Sequence, residues 1–462
     1  MKLIGLDIGT STICGLVLDA RSAEIVSLVT RPNTAGLHGQ PWESLQDPHV
    51  ILRTARQIVD GFLQSHTDVA GIGVAGQMHG ILYLDRAGRA VSPLYTWQDG
   101  RGDLPEERQK GEPSLVSPPS AASRLSAALG TRVSTGMGVV THAWNAAHGK
   151  VPAEAAAICT IMDYVAMTAA GARSPVMDAT NAASVGGFDL AALDFRRDEL
   201  DHLGIQPRLF PAVASGYPAL GEARAGVPVF TAAGDNQASF LGSVREVRST
   251  VSVNVGTSSQ VSVRVDSPAP IPGMDVRPFP FGGFLAVGAG LCGGSAYELL
   301  RAFFEKTLRL FGAAEPAGLE TMNAVSAGAL EGSPLSVDIR FSGTREDPAL
   351  RGGVSSISTV NFTPEHLVVG VREGIATELL DFYARLPEAR RGEIRALVGS
   401  GNAIRLNAAL REVFERRLGL PMKVPVHREE TSFGAALLAG VASGVLPDLA
   451  AAGALVRYES QR

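Results

Sequence analysis

The stretch "LIGLDIGTST", residues 3–12, decides how this chain is read. An apolar run from Leu3 to Ile8 is interrupted by one carboxylate, Asp7, and then breaks into Gly9, Thr10, Ser11 and Thr12. The run reads as a buried strand, and the glycine with its hydroxyl neighbours as the tight turn that ends it. A second apolar run, "ICGLVLDA", begins at once, so the pair predicts a hairpin. A tip of glycine and small hydroxyl residues can turn backbone N–H groups outward into one concavity, a nest that binds anions. Asp7 beside such a nest helps only if a cation stands between, and Mg²⁺ favours carboxylate, water and phosphate oxygens together.

The same word nearly returns at "VSVNVGTSSQ", residues 251–260, where Asn254 replaces the acid. One such turn is an ordinary polar hairpin tip. Two matched turns about half the chain apart predict duplicated α/β domains rather than a short-period repeat array. A boundary near "SVREV" gives domains over 1–243 and 244–462, with a cleft between them where substrates commonly bind. The length of 462 residues is enough for each half to bury its own core. Further strand-like runs, "GIGVAGQ" and "GILYLD", are expected to continue the first hairpin as a meander. Residues 49–65 place Ile51, Ala55, Ile58, Val59 and Phe62 on one helical face, with Asp47 as N-cap and Pro48 at the first turn. Residues 396–419 read as strand, Gly-rich turn and helix, with Leu406, Leu410, Val413 and Leu418 as the apolar stripe. The polar stretch over 104–120, with its four prolines, reads as an exposed loop.

Composition removes several classes of function. A net charge of −5, with no run of Lys and Arg interleaved with aromatics, argues against nucleic acid as a partner. Cys14, Cys159 and Cys292 are too far apart for a metal knuckle or a disulfide framework and read as core residues. No apolar stretch approaches the roughly 20 residues of a membrane span. The first residues run straight into a strand without a signal-like core, so the expected location is cytoplasmic, away from membranes.

The turns at residues 9–12 and 256–258 invite a polyphosphate, which needs an acceptor and a nucleoside site. In "AAGDNQASFLGS", residues 232–243, an apolar strand ends at Gly234 and delivers Asp235 where a base could meet an alcohol. Phosphoryl transfer depends mostly on positioning and charge stabilisation, so Asp235 need not be a strong base. "GSGNAIRLN", residues 399–407, offers a Gly-rich turn through which backbone can approach a base or ribose. The P-loop signature and the protein-kinase motif set are both absent.

Together these pieces resemble the FGGY family of sugar kinases, nearly end to end. The likeness lies in "GVAGQMHGILYLD" (73–85), "SPLYTWQDGRGD" (92–103), "CTIMDYVAM" (159–167), "GDNQASFLGSV" (234–244) and "SVNVGTSSQVSV" (252–263), and is greatest to the sedoheptulokinase-like branch. It implies two duplicated actin-like, ribonuclease-H-like α/β domains. It implies ATP and Mg²⁺, with Asp235 as the base and Asp7 ordering the metal through its waters. Gly9, Thr10, Ser11 and Thr12 would form one phosphate turn and Gly256, Thr257 and Ser258 the other. Gly401 and Asn402 would contact adenosine. Gln77, Met78, His79, Trp97, Asp99 and Asn236 would line the sugar site. Asp163, Tyr164, Asp178 and Asn181 match family positions but read as structural. "FSGTREDPALRGG" (341–353) matches only in part and is assigned no chemistry.

The expected activity is therefore ATP-dependent phosphorylation of a terminal primary hydroxyl of a ketose. Sedoheptulose is the first candidate, with xylulose or another ketose or polyol behind it. Polar and aromatic partners without a clustered Lys or Arg clamp suit an unphosphorylated sugar. A non-catalytic ATP- or sugar-responsive regulator on the same fold is the alternative from a different class. A homodimer is the candidate assembly.

Overall fold

The run around Asp7 forms β1 (Lys2–Ile8), which pairs antiparallel with β2 (Thr12–Asp19) across the 9–12 turn. β2 pairs in turn with β3 (Glu24–Pro32). The helix Pro48–Ser65 then carries the chain back to β4 (Val69–Gly76), which lies parallel to β1 on its other side. β5 (Ala219–Glu222) and β6 (Pro228–Phe230) extend the sheet beyond β4, and the short β7 (Ala233–Gly234) runs parallel beside the end of β4. This computed structural model describes residues 1–105, 119–214, 216–313 and 318–460, without the side chain of residue 329. The loop expected over 104–120 falls mainly outside the described residues.

The helix Pro48–Ser65 follows from its sequence. The Asp47 side chain accepts the His49 N–H at 2.8 Å, Pro48 stands where no N–H is needed, and the five residues of the expected face are all buried. The expected meander needs correction. "GIGVAG" is the parallel strand β4, and Leu82–Leu84 pairs with Ala157–Cys159 in a separate two-stranded sheet. The third strand of the meander is β3, whose Val26 and Leu28 are 41% and 50% exposed. It lacks the continuous apolar run that marks a strand buried on both faces.

A second, six-stranded sheet repeats the design. β8 (Thr250–Val255) and β9 (Ser259–Val265) form the hairpin around the second Gly-Thr-Ser turn. β10 (Asp275–Pro278) and β11 (Phe284–Gly290) continue past β9, while β12 (Ala396–Ser400) lies parallel to β8 and β13 (Met422–Lys423) closes the far side. The order β11-β9-β8-β12 thus matches β3-β2-β1-β4: three antiparallel strands, then a parallel one. The fold is the duplicated α/β arrangement expected. After β12 the helix breaks at Asn407, which caps a new helix, Ala408–Leu418, with its side chain on the Leu410 N–H. Leu410 and Val413 are buried, but Leu406 ends the preceding short helix and is 69% exposed.

Two compact units emerge. The first comprises Met1–Arg245, Arg277–Gly283 and Glu429–Val456; the second comprises Glu246–Val276, Phe284–Arg428 and the residues from Arg457 onward. A single division at 243/244 would have assigned 277–283 and 429–456 to the second half. The reason they join the first is packing. The helix Glu430–Ala442 is apolar and small-residue-rich, and buried along Ser432–Gly440. A Cβ on its Gly434 would lie 1.9 Å from the carbonyl oxygen of Ala238 in the helix Asp235–Ser243. Backbones that touch leave no room for a side chain. The three cysteines are buried and unpaired. Among the described residues no helix is long and apolar enough to cross a membrane.

Candidate active site

β1, β4 and β7 are parallel neighbours that stop in register: Ile8 pairs with Gly76, and Gly76 with Gly234. Whatever follows each strand therefore emerges at one edge of the first sheet, the carboxyl end where α/β proteins bind ligands. After β1 comes the 9–12 turn, after β4 come Gln77, Met78 and His79, and after β7 comes Asp235.

The 9–12 turn has the form of a nest. All four of its carbonyls are occupied. Gly9 N–H donates to Thr12 O, the Asn33 side-chain amide to Gly9 O, the Gln46 amide to Thr10 O, and Asn33 N–H to Ser11 O, all at 2.8–2.9 Å. The N–H groups of Thr10 and Ser11 find no acceptor among the described residues. The turn accepts its hydrogen bonds inward and keeps donors for an anion.

Beside it sits an acidic group. Burial pushes the Asp7 carboxyl up to about 8, and the charges of Asp235 and Glu429 add to the rise. Burial also raises Asp235, to about 6, while the Arg277 guanidinium and the hydrogen bonds from Asn236 hold it back. Asn236 donates its backbone N–H to Asp235 Oδ1 at 2.7 Å and its side-chain amide at 3.2 Å; its own Oδ1 accepts from Arg277 Nη1 at 2.6 Å. Asp7, Asp235 and Glu429 each keep a partly exposed edge, so they are enclosed yet reachable. Among the described residues no three His, Cys, Asp or Glu side chains converge closely enough to cage a metal. One buried carboxylate repelled by two others, next to a nest, is instead what Mg²⁺ takes when most of its shell is water and phosphate. Asp7 fits Mg²⁺ in that way.

The residues expected around a sugar divide into two groups. Trp97 is 45% exposed and its indole N–H donates to Thr10 Oγ1 at 3.0 Å, so it stands at the open edge beside the turn. His79 is partly exposed and adopts the left-handed backbone, φ +76°. Ser184 holds it there: His79 N–H donates to Ser184 Oγ at 3.1 Å, and the ring Nδ1 lies 2.7 Å from Ser184 O. Ser184 Oγ donates to the Asn181 carbonyl, and the Asn181 side chain donates to Asp163, a buried polar network of the structural kind expected there. Asn236 is also partly exposed.

Gln77, Met78 and Asp99 belong to the second group. Gln77 is 4% exposed, with Oε1 accepting from Thr10 Oγ1 and Nε2 donating to Gln46 Oε1, so it braces the phosphate turn. Met78 is 3% exposed and packs against Gly234. Asp99 needs correction. It is fully buried, its carboxylate takes Arg101 Nε at 2.6 Å, Arg101 Nη2 at 3.1 Å and the Ser44 N–H, and nothing of it is left for a sugar. The pair anchors Arg101 under the Tyr95 ring, 4.2 Å from its centroid.

In the second unit the 256–258 turn repeats the nest. Ser258 O accepts from Gly256 N–H, while Gly256 O and Thr257 O accept from the Gly294 and Ser295 N–H groups. The N–H groups of Thr257 and Ser258 have no acceptor among the described residues. β8 and β12 end in register, Asn254 beside Ser400, so Gly401 follows at the same edge with φ +85°. A Cβ there would lie 2.5 Å from Val255 O, which is why glycine stands at that position. Gly256, Thr257 and Asn402 line a cavity of about 410 Å³ with Tyr297, Asn323 and Arg372. A larger cavity of about 1120 Å³ around Asp338, Glu378 and Phe382 contains none of the expected residues.

Comparison with known proteins places this architecture. Residues 2–242 match the N-terminal domain of the FGGY family of carbohydrate kinases, and residues 251–443 its C-terminal domain. The chain belongs to the FGGY family. It is 27% identical to the sedoheptulokinase of Mus musculus, over 94% of this chain and 96% of that one. In structure it is similar to the xylulose kinase of Rhodospirillum rubrum, with TM-score 0.84, 22% identity and coverage of 100% and 93%. It is also similar to the Plasmodium falciparum glycerol kinase solved with ADP, with TM-score 0.80, 17% identity and coverage of 99% and 93%. This FGGY kinase is accordingly a phosphotransferase acting on carbohydrates.

Two residues that bear on the Asp7–Asp235 group were not found by reading the sequence. Arg277 lies in a strand of the second half of the chain, and Glu429 precedes the helix Glu430–Ala442; both belong to the first unit. Neither has a local motif. Only the apolar, glycine-bearing "TSFGAALLAG" that follows Glu429 hints at a helix pressed against another backbone.

Proposed function

We propose that this FGGY kinase transfers the γ-phosphate of ATP to a terminal primary hydroxyl of an unphosphorylated ketose, with sedoheptulose ahead of xylulose. The observation that carries the reading is Asp235: a partly exposed carboxyl at the end of a parallel strand, lifted to about 6 and held by Asn236 and Arg277. A base with that pKa is ionised at neutral pH, yet binds a proton well enough to take one from an alcohol. It takes the hydroxyl proton as the oxygen attacks, while the two nests bind phosphate oxygens through backbone N–H groups. Asp7 would hold Mg²⁺, which when bound would supply charge neutralisation to the phosphates.

His79, Trp97 and Asn236 offer a sugar hydrogen-bond partners and one aromatic wall. Gln77 and Asp99 act at one remove, by fixing Thr10 and Arg101. Gly401 and Asn402 face adenosine. The preference for sedoheptulose rests on the relative from Mus musculus, and that for a ketose on this relative and the R. rubrum one together.

ADP release measured over a panel of ketoses and polyols tests the reading. Sedoheptulose should give the highest kcat/KM, with xylulose next. A phosphorylated sugar as best substrate, or a polyol such as glycerol, would overturn the ketose assignment. His79→Asn should raise KM for the sugar about tenfold and leave KM for ATP nearly unchanged, since asparagine tolerates the left-handed backbone but cannot replace the ring. Equal effects on both KM values would remove His79 from the sugar site.

A further inference from the structure

The chain from Arg277 to Gly283 is the end of β10 and the turn into β11, yet it belongs to the first unit. Three contacts seat it there. The fully buried Gln237 donates its Nε2 to Pro278 O at 3.0 Å. Phe279 packs edge to face on Phe240, both rings buried and their centroids 5.7 Å apart. Phe281 meets Tyr217 at 5.3 Å, and both hold a left-handed backbone, φ +57°, that bulky residues avoid. Such strain persists only where the surroundings over-determine it, and it gathers at functional sites.

What the seat delivers is Arg277. Its Nη1 donates to Asn236 Oδ1 at 2.6 Å, and this fixes which way the Asn236 amide is turned. With Oδ1 on the guanidinium, the NH₂ group must face the other way. It donates to Asp235 Oδ1 at 3.2 Å, where the Asn236 backbone N–H also arrives at 2.7 Å. One carboxylate oxygen is thereby taken twice. Asp235 Oδ2 accepts no hydrogen bond among the described residues, in a side chain that keeps a partly exposed edge. Without Arg277 the amide could turn its oxygen toward the carboxylate, and the carboxylate would lose its fixed direction.

We propose that Arg277 is a positioning residue that aims the base, so that Asp235 Oδ2 rather than Oδ1 takes the acceptor proton. The proton passes from the sugar hydroxyl to Oδ2 as the sugar oxygen bonds to the γ-phosphorus. The bond from that phosphorus to the β–γ bridging oxygen breaks, and its electron pair leaves with ADP. Arg277 touches neither reactant in this step and acts through Asn236 alone. The assignment rests on Asp235 being the base, as the proposed function has it.

A double-mutant cycle between Arg277→Met and Asp235→Asn tests it, with whichever sugar the enzyme phosphorylates. Arg277→Met should lower kcat about 10- to 100-fold and leave KM for ATP within about twofold, since the loss lies in the aim of the base. In the Asp235→Asn background the same change should cost less than about twofold, because no base is left to aim. A kcat for Arg277→Met within about twofold of the wild type overturns the proposal, and so does an equal loss in both backgrounds. The wild type gives a test that needs no variant to fold. Crystallised with sugar and a non-hydrolysable ATP analogue, it should hold the acceptor hydroxyl within about 3.2 Å of Oδ2. A hydroxyl on Oδ1 overturns the proposal. Full kcat in Asp235→Asn alone would sink the base and this proposal together. Loss there with none in Arg277→Met would sink this proposal and leave the base standing.

Discussion

Asp235→Asn should lower kcat by about 10²–10⁴, the usual worth of a general base, with the fold and nucleotide binding retained. Asparagine keeps the size of the side chain and can keep the helix start after Gly234, so the change is confined to the loss of a proton acceptor. It also removes one of the charges that raise Asp7, so the variant should be no less stable at neutral pH. A variant with more than about half the wild-type kcat would take Asp235 out of the mechanism. The pH profile supplies a second readout. The base works only as a carboxylate, so kcat/KM for the sugar should fall as pH drops through about 6 and be flat above it, as far as this group decides. Asp235→Asn should lose that acid limb along with the rate. An unchanged limb would assign it to another group.

What could be read in advance, and what could not, follows from where each contact originates. The 9–12 and 256–258 turns were legible because a hairpin tip is local: apolar runs flank it, and glycine with small hydroxyls marks it. The helix Pro48–Ser65 was legible for the same reason, with its cap and stripe inside one window. The mutual placement of Asp7, Gln77 and Asp235 was not, since it depends on the register of β1, β4 and β7, which no local pattern encodes. Arg277 and Glu429 were missed because they reach the first unit from the second half of the sequence. Asp99 was misread even though a signal was present. Arg101 stands two residues later, and in a tight 3₁₀ turn an Asp-x-Arg pair closes on itself, which consumes the carboxylate. Trp97 and His79 were distinguishable from core residues only through the polar words around them.

Asp7→Asn should nearly abolish turnover and at the same time stabilise the protein, and the two effects have one cause. Folding encloses the Asp7 carboxyl and sets it near Asp235 and Glu429, so its pKa rises from the ordinary 3.8 to about 8. Between roughly pH 4 and 8 the folded chain holds a proton that the unfolded chain has released. The folded state then binds more protons, so this group makes stability fall as pH rises through that window, and the full cost remains above it. Asparagine carries no charge to confine. With its partly exposed edge taken into account, the gain should be on the order of 1–3 kcal/mol near pH 7.5 and much smaller near pH 5. Thermal unfolding at the two pH values reads it directly. On the proposed reading the buried charge serves the cation, so Mg²⁺ with nucleotide should raise the unfolding temperature of the wild type more than that of Asp7→Asn. Turnover should in turn require a divalent cation, since neither turn contains a Lys or Arg to neutralise phosphate. Full activity in excess chelator, or a variant less stable than the wild type at pH 7.5, would break the link between the buried charge and the metal.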